Sequence, residues 1–459
     1  MAETSNSSIR MSDVVSALSV ALDLTEGQPM GHAIRSCFIG MRIAKELRLP
    51  AKDCADLYYA LLLKDSGCSS NSARLHGILG SDDIQAKREV KFQDWTRMSL
   101  PGLRYLLRNT MPGAHWFDKF KRIVQVGLHQ SENNAALIGT RCERGAEIAR
   151  KIGMSERTAL AIRSLDEHWN GGGYPEGRAG DHIPLLSRIM NVSQTLEVFA
   201  SEYDPEAAIR AVSQRSGKWF DPEMVNVARS LLKEEKLWQQ MKSKDVRSLV
   251  MGMEPGTAVP ASPERIDSIC QAFAEVIDAK SPYTFNHSLG VANASVAIAE
   301  ALALAPIMIT TIRRAALLHD IGKLSVSNAI LEKPGKLTDS EWEVMKMHPV
   351  YSRQILKSIS GFENLAFIAA AHHERLDGKG YPEGLKANQL PLAARVIAVA
   401  AVYQALTEKR PYREGLSLDV VMKMLHEDVP ARLDAQCVAA LQRAKVSAPR
   451  ELVQAATAR

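Results

Sequence analysis

The feature that most constrains the fold of this chain is a segment that occurs twice. GGYPEG, around Tyr174, recurs as GKGYPEG around Tyr381, at an offset of 207 residues. Upstream, ALLLKDSGC aligns with AALLHDIGK at an offset of 255 residues, which pairs Lys64 with His319. Self-similarity on this scale indicates one fold used twice. The unequal offsets predict an insertion of about 48 residues in the first half, at roughly 81–128.

The hydrophobic pattern predicts that both copies are helical. Long segments such as SICQAFAEVIDA and LGVANASVAIAEALAL carry apolar residues at helical spacing, and alternating strand-like runs are scarce. Gly and Pro concentrate in MGMEPGTAVPAS, and Ser262 followed by Pro263 is typical of a helix start. We therefore predict an all-α chain with a first domain at 1–250, a linker at 251–262 and a second domain at 263–459.

Composition narrows the functional classes. The 459 residues are 46% hydrophobic and 24% charged, as in globular proteins, and a net charge of +5 favours an anionic small molecule over a nucleic-acid partner. The six cysteines are far apart without a CxxC pair, which argues against disulfides and thiolate zinc sites. The first residues lack the order of a signal peptide, and no apolar run approaches the ~18 residues of a membrane span. We expect a cytoplasmic protein without a membrane partner.

The second half spreads imidazoles and one carboxylate over several predicted helices. Helical bundles build metal sites from such inward-facing ligands. Nitrogen and oxygen donors without cysteine suit iron, manganese, nickel or zinc, and six of them suit two ions, which can clamp a phosphodiester for in-line attack. Lys323, four residues after His319, is expected to neutralise phosphate charge. The candidate ligands are His287, His319, Asp320, His348, His372 and His373.

Three segments of the second half resemble the HD-GYP family of cyclic-dinucleotide phosphodiesterases. They are HDIGK at 319–323, HHERLDGKGYP at 372–382 and ARVIAVAAVYQALTEKRPYR at 394–413. The resemblance implies tandem HD-type helical bundles and a bacterial signalling role, with hydrolysis of cyclic di-GMP or 3′3′-cyclic GMP-AMP to a linear product. It also implies two divalent transition metals, iron or manganese before nickel or zinc, with the six ligands above holding the ions.

In that family the residue at Asp320 bridges the ions and takes part in catalysis with Lys323. The glycine-rich loop lies beside the site, and a protein partner at the two such loops of this chain is left open. The substrate-side residues implied by the resemblance are Asp377, Gly378, Gly380, Tyr381, Pro382, Arg410 and Arg413.

One departure keeps alternatives open. The family pattern A-D-x-x-D-A reads AAVYQA at 400–405, so Ala401 stands where a metal-ligating aspartate is expected. A methyl group cannot coordinate a metal ion. A catalytically inactive module that senses cyclic dinucleotides or partners is therefore a second hypothesis. A phosphohydrolase acting on nucleotides outside signalling is a third, because that activity needs the HD core without the glycine-rich loop.

The first half has lost most of its ligands. Among the aligned positions only His32 and Asp65 keep residues of the same type. We predict a metal-free, inert first domain, whose own GYP loop at 173–175 serves packing or ligand sensing. The residues aligned with the other ligand positions are Lys64, Arg141, Leu165, Asp166 and Gln194.

Overall fold

The fold is all-α, as predicted. In the computed structural model every regular element among the described residues is an α-helix or a short 3-10 turn, and β-structure is limited to isolated bridges. Among the same residues, no helix is long and apolar enough to cross a membrane. The described residues are 9–93, 100–231, 233–256, 260–284, 286–409 and 414–444.

The first half comprises fourteen described α-helices. Three of them, α5 to α7, occupy the predicted insertion at 81–128. In chain order the helices are α1 (Met11–Thr25), α2 (His32–Glu46), α3 (Ala51–Leu63), α4 (Ser72–Leu79), α5 (Asp83–Val90), α6 (Leu100–Asn109), α7 (Trp116–Leu128), α8 (Gln130–Lys151), α9 (Glu156–Arg163), α10 (Leu185–Glu202), α11 (Pro205–Gln214), α12 (Pro222–Leu231), α13 (Glu235–Met241) and α14 (Val246–Met251).

The second half adds ten described α-helices and two 3-10 turns that matter for the site, Ile321–Ser325 and Ala371–His373. The helices are α15 (Pro263–Asp278), α16 (His287–Ala301), α17 (Pro306–Leu318), α18 (Asn328–Leu331), α19 (Asp339–Lys346), α20 (His348–Lys357), α21 (Glu363–Ala370), α22 (Leu392–Thr407), α23 (Leu418–Glu427) and α24 (Ala435–Ala444).

Helix starts in the two halves use the same device. Both α2 and α16 begin at a histidine. In each, an aspartate from an earlier helix accepts hydrogen bonds from backbone N–H groups of the first turn. Asp23 accepts the backbone N–H of Ala33 at 2.9 Å, and Asp278 accepts that of Ser288 at 3.0 Å. A carboxylate at this place satisfies amide groups that have no partner within the helix. The contacts agree with the alignment by 255 residues.

The two GYP loops are also built alike. Glu167 and Glu374 each accept two backbone N–H groups of their own loop, at 2.7 to 2.9 Å. Gly173 and Gly380 each lie against backbone so closely that a Cβ would come within 2.5 Å of it. Only glycine fits such an approach. These contacts agree with the alignment by 207 residues and bring each loop back over the turn that precedes it.

The two halves pack into one continuous core. Helix α1 is buried on almost every side and packs against α2 and α3 of the first half and against the Ile321–Ser325 turn and α20 of the second. Asp83 of the insertion accepts the backbone N–H of Asn328 at 2.7 Å and lies 3.5 Å from the buried ammonium of Lys280. The domain boundary at 251–262 stays a prediction.

Candidate metal centre

The five histidines of the second half stand at the ends of helices. His287 and His348 are the first residues of α16 and α20, and His319 follows the last residue of α17. His372 and His373 form the turn after α21. Because element ends from four directions meet here, the rings converge on Asp320, which is 1% exposed.

Three of the imidazoles are oriented by their own backbone. His319, His348 and His372 each place Nδ1 2.7 Å from the carbonyl oxygen of the residue three positions earlier. A carbonyl oxygen only accepts hydrogen bonds, so Nδ1 carries the proton in each ring. This contact turns Nε2 of every ring toward Asp320, which is the orientation that metal-binding histidines adopt.

Hydrogen-bond acceptors face one another at the centre. The Nε2 atoms of His348 and His372 are 3.2 Å apart and lie 3.4 and 3.5 Å from Oδ1 of Asp320. Burial lowers the pKa of both histidines, so both rings are neutral and their Nε2 atoms are lone-pair acceptors. Oδ1 of Asp320 is buried without a hydrogen-bond partner among the described residues.

The carboxyl group of Asp320 is ionised. Burial alone would raise its pKa, but His319 and Lys323 beside it lower that pKa well below the usual range. An anionic oxygen and two neutral nitrogen lone pairs at these separations repel one another unless a cation lies between them. The donor set therefore fits a transition-metal ion.

The ligand atoms fall into two groups of three. One consists of His348, His372 and His373, and the other of His287, His319 and Asp320, with the atoms of each group within 4.8 Å of one another. Oδ2 of Asp320 lies 3.3 Å from Nε2 of His319 and 3.6 Å from Nε2 of His287, while Oδ1 faces the first group. Asp320 thus presents one oxygen to each group.

Glu408 is a further residue of the centre, which the sequence analysis missed. Its Oε2 lies 2.8 Å from Nδ1 of His287, and its Oε1 accepts from Nε2 of Gln404 at 2.7 Å. Ala401 and Gln404 lie within α22, and Glu408 is the residue that follows its end. A carboxylate just after α22 therefore contacts His287, although Ala401 within that helix offers none. The A-D-x-x-D-A pattern ends at position 405, so that pattern did not indicate Glu408.

The predicted substrate-side residues of the glycine-rich loop lie in different surroundings. Tyr381 stacks on His373 with ring centroids 4.7 Å apart, and the Tyr381–Pro382 peptide is cis. Gly378 has φ +77°, which favours glycine. Gly380 is the close-approach glycine described above. Asp377 is bonded within its own loop, to the Arg375 guanidinium at 2.7 Å.

Three further predicted residues and one additional residue concern this side of the centre. Arg410 and Arg413 lie outside the residues that the structure describes. Lys323 places its ammonium 2.6 Å from Oδ2 of Asp320. Trp342, which the sequence analysis missed, is 43% exposed, and its ring meets the edge of Tyr381 at 5.8 Å between centroids. No motif contains Trp342, so only the tertiary structure reveals its position.

In the first half, lysine and arginine side chains lie at the place that aligns with the metal centre of the second half. The ammonium of Lys64 is 2.9 Å from Nε2 of His32 and also pairs with Asp65. Nε of Arg141 donates to Asp166 at 2.8 Å. Leu165 is buried in the hydrophobic core. These fixed positive charges support the prediction that the first half binds no metal.

One group of potential ligands does occur in the first half. Glu26, Asp65 and Cys68 bring three donor atoms within 4.8 Å of one another. Burial raises the pKa of the Cys68 thiol well above its usual range, so the sulfur stays protonated. Glu26 already pairs with Lys91 at 3.1 Å. Cations of the protein itself therefore already pair with the acidic side chains of this group.

Comparison with known proteins agrees with this geometry. A family model described as "HD domain" matches residues 129–224 and 271–437, one stretch in each half. The chain is an HD-GYP member of the HD domain family. This HD-GYP chain is 41% identical over 445 residues to 3'3'-cGAMP-specific phosphodiesterase 3 of Vibrio cholerae, covering 97% of this chain and 96% of the relative.

One further relative of this HD-GYP chain matches part of its sequence, and one solved structure superposes on most of it. It is 42% identical over 153 residues to the cyclic di-GMP phosphodiesterase response regulator RpfG of Xanthomonas campestris, covering 32% of this chain and 40% of the relative. The crystal structure of a cyclic GMP-AMP specific phosphodiesterase of V. cholerae, V-cGAP3, superposes with a TM-score of 0.66 at 38% identity, covering 95% of this chain and 98% of that one. The similarity to V-cGAP3 therefore extends over nearly the whole length of both chains.

Proposed function

We propose that the chain is a metal-dependent phosphodiesterase that hydrolyses a cyclic dinucleotide, with 3′3′-cyclic GMP-AMP as its preferred substrate. The observation that carries the proposal is the set of facing acceptors around Asp320, which suits metal cations. The substrate preference rests on similarity over nearly the whole chain, tandem halves included, to a phosphodiesterase named for 3'3'-cGAMP. RpfG, one of the relatives named for cyclic di-GMP, matches only 32% of this chain.

The two ligand groups would hold two divalent ions. His348, His372 and His373 would bind one, His287 and His319 the other, and Asp320 both. Nitrogen and oxygen donors without thiolate suit iron or manganese, with nickel or zinc as alternatives. When bound, such a pair polarises a phosphodiester and lowers the pKa of water.

The residues of the chain itself bind and orient the substrate. The ammonium of Lys323, next to Asp320 and partly exposed, would neutralise charge on the scissile phosphate. Tyr381 holds the ring of His373 in place by stacking on it. The exposed indole of Trp342 offers a face on which a purine base can stack.

An inactive sensor is the second candidate, and Ala401 is the observation that favours it. The carboxylate of Glu408 beside His287 weighs against this alternative, because it keeps an acidic group in contact with a ligand of the affected ion. A protein partner at the two GYP loops stays a prediction.

The decisive experiment is product chromatography with the full chain loaded with manganese or ferrous iron. We expect the linear dinucleotide from 3′3′-cyclic GMP-AMP, formed faster than from cyclic di-GMP. Asp320→Asn is the matched control, since it removes the charge and keeps the shape. Tight binding of the cyclic dinucleotide without any product would favour the sensor. If the metal-loaded protein shows neither binding nor turnover, both candidates are refuted.

A further inference from the structure

A cavity of about 230 Å³ lies in the first half, apart from the metal centre. It lies between the helices of the insertion and helices α4, α8 and α10, and it is partly open to solvent. Its floor carries Arg141, Asp166 and Gln194, which align with the second-half positions His348, His373 and Ala401. The cavity therefore occupies the place that the metal centre holds in the other copy, under a roof that the second half lacks. The aliphatic side chains of its walls include Leu75, Ile78, Leu79, Leu106, Leu137 and Ile138.

The charged residues that line the cavity favour an anion. Among the described lining residues, cations outnumber acids by four to two. Lys87 is committed elsewhere, because its ammonium donates to the carbonyl of Cys68 at 2.8 Å and to the hydroxyl of Ser72 at 2.6 Å. The cations are Lys87, Lys91, Arg141 and Arg215, and the acids are Glu26 and Asp166.

Two polar groups at the cavity are incompletely paired. The ammonium of Lys91 is buried and lies 3.1 Å from Glu26, yet it makes no hydrogen bond of good geometry within the described structure. Oδ1 of Asn71, in a residue that is 8% exposed, likewise lacks a partner there. A buried polar group without a hydrogen bond of good geometry destabilises the fold. A ligand that offers an anionic oxygen and a hydroxyl group would satisfy both.

The walls argue against a nucleotide. Their exposed surface is mainly apolar, and the ring of Trp219 is already stacked on His168 at 4.3 Å and covered by the guanidinium of Arg215 at 4.4 Å. The volume is also below the ~300–1,000 Å³ of pockets for larger organic ligands. A base has no free aromatic surface on Trp219, and a cyclic dinucleotide exceeds the space.

We infer that this cavity is a second ligand site, which binds a small amphipathic acid such as a medium-chain hydroxycarboxylate. The carboxylate pairs with Lys91, the hydroxyl donates to Asn71, and the hydrocarbon chain lies against the aliphatic walls. Burial of that chain supplies most of the binding free energy, because each CH₂ group is removed from water. The site is independent of the metals and of turnover in the second half.

Isothermal titration calorimetry on the metal-free full chain tests the inference, with 3-hydroxydecanoate as the probe. We expect one site, with binding at least about tenfold weaker for decan-1-ol, which lacks the charge. Lys91→Gln should lower the affinity for 3-hydroxydecanoate by at least about tenfold, because a charge-assisted hydrogen bond is lost. Lys52→Gln, on the exposed surface of α3, should leave the affinity unchanged.

A second variant covers the case in which Lys91→Gln fails to fold, since Glu26 would lose its partner. Ile138→Trp fills the cavity without changing its charge and should abolish binding. Equal affinities for 3-hydroxydecanoate and decan-1-ol would overturn the inference, as would unchanged affinity in Ile138→Trp. Tighter binding of GMP than of 3-hydroxydecanoate would also overturn it and identify the cavity as a nucleotide site.

Discussion

Replacing Gly322 with alanine tests whether the spacing between two elements holds the metal centre together. A Cβ at this position would lie 1.9 Å from the carbonyl oxygen of His348, whereas ordinary contacts begin at 3.4 Å. The turn and α20 must therefore separate by about 1.5 Å. Metal–ligand distances tolerate only about 0.2 Å, so His348 cannot remain in place. The overpacking should also cost about 1–3 kcal/mol of unfolding free energy.

Gly67 provides the matched control, because it occupies the same position in the first half. A Cβ there would lie 1.8 Å from the carbonyl oxygen of Arg141, where no metal ligand stands. Chemical denaturation should show a loss of stability in both Gly67→Ala and Gly322→Ala. Elemental analysis should show loss of bound metal only in Gly322→Ala, together with loss of turnover. Full metal content in folded Gly322→Ala, or equal metal loss in both variants, would refute the reasoning.

Four further substitutions probe the centre. Asp320→Asn should lose bound metal and turnover together, as chelator-treated wild-type protein does; full metal content would disprove its bridging role. Lys323→Met should keep the metal and raise KM. An unchanged KM would show that Lys323 does not contact the substrate. Trp342→Ala should raise KM by about tenfold at unchanged metal content, since stacking contributes ~1–3 kcal/mol per base. Ala401→Asp should tighten metal binding by at least about tenfold, and unchanged metal affinity with lower thermal stability would contradict this.

The sequence predicted the fold class because apolar residues repeat at helical spacing throughout the chain. It also indicated which imidazoles belong together, because the motifs around His319 and His372 carry ligand types at recognisable positions. The structure brings all six candidate ligands to one place. Glu408 escaped prediction because its contact with His287 depends on how α22 lies against α16, and no local pattern encodes that arrangement.

The cavity in the first half could not be predicted for a related reason. Its roof consists of insertion helices without a counterpart in the second half, so the repeat offers no template for them. Lys91 and Asn71 lie twenty positions apart in the chain and line the same cavity only in the folded protein. The alignment did identify Arg141 and Asp166 as replacements of metal ligands, but it could not show that they pair with each other.

The burial of α1 on nearly all sides affects how the protein is made. Helix α1 leaves the ribosome long before the Ile321–Ser325 turn against which it packs, because almost 300 residues separate Thr25 from Ile321. At ~5–20 residues per second, translation leaves the apolar surface of α1 without that partner for roughly 15 to 60 seconds. Nascent or prematurely terminated chains therefore expose a hydrophobic helix that chaperones can bind. The yield of folded protein should accordingly depend on chaperone capacity more than on the stability of the finished molecule.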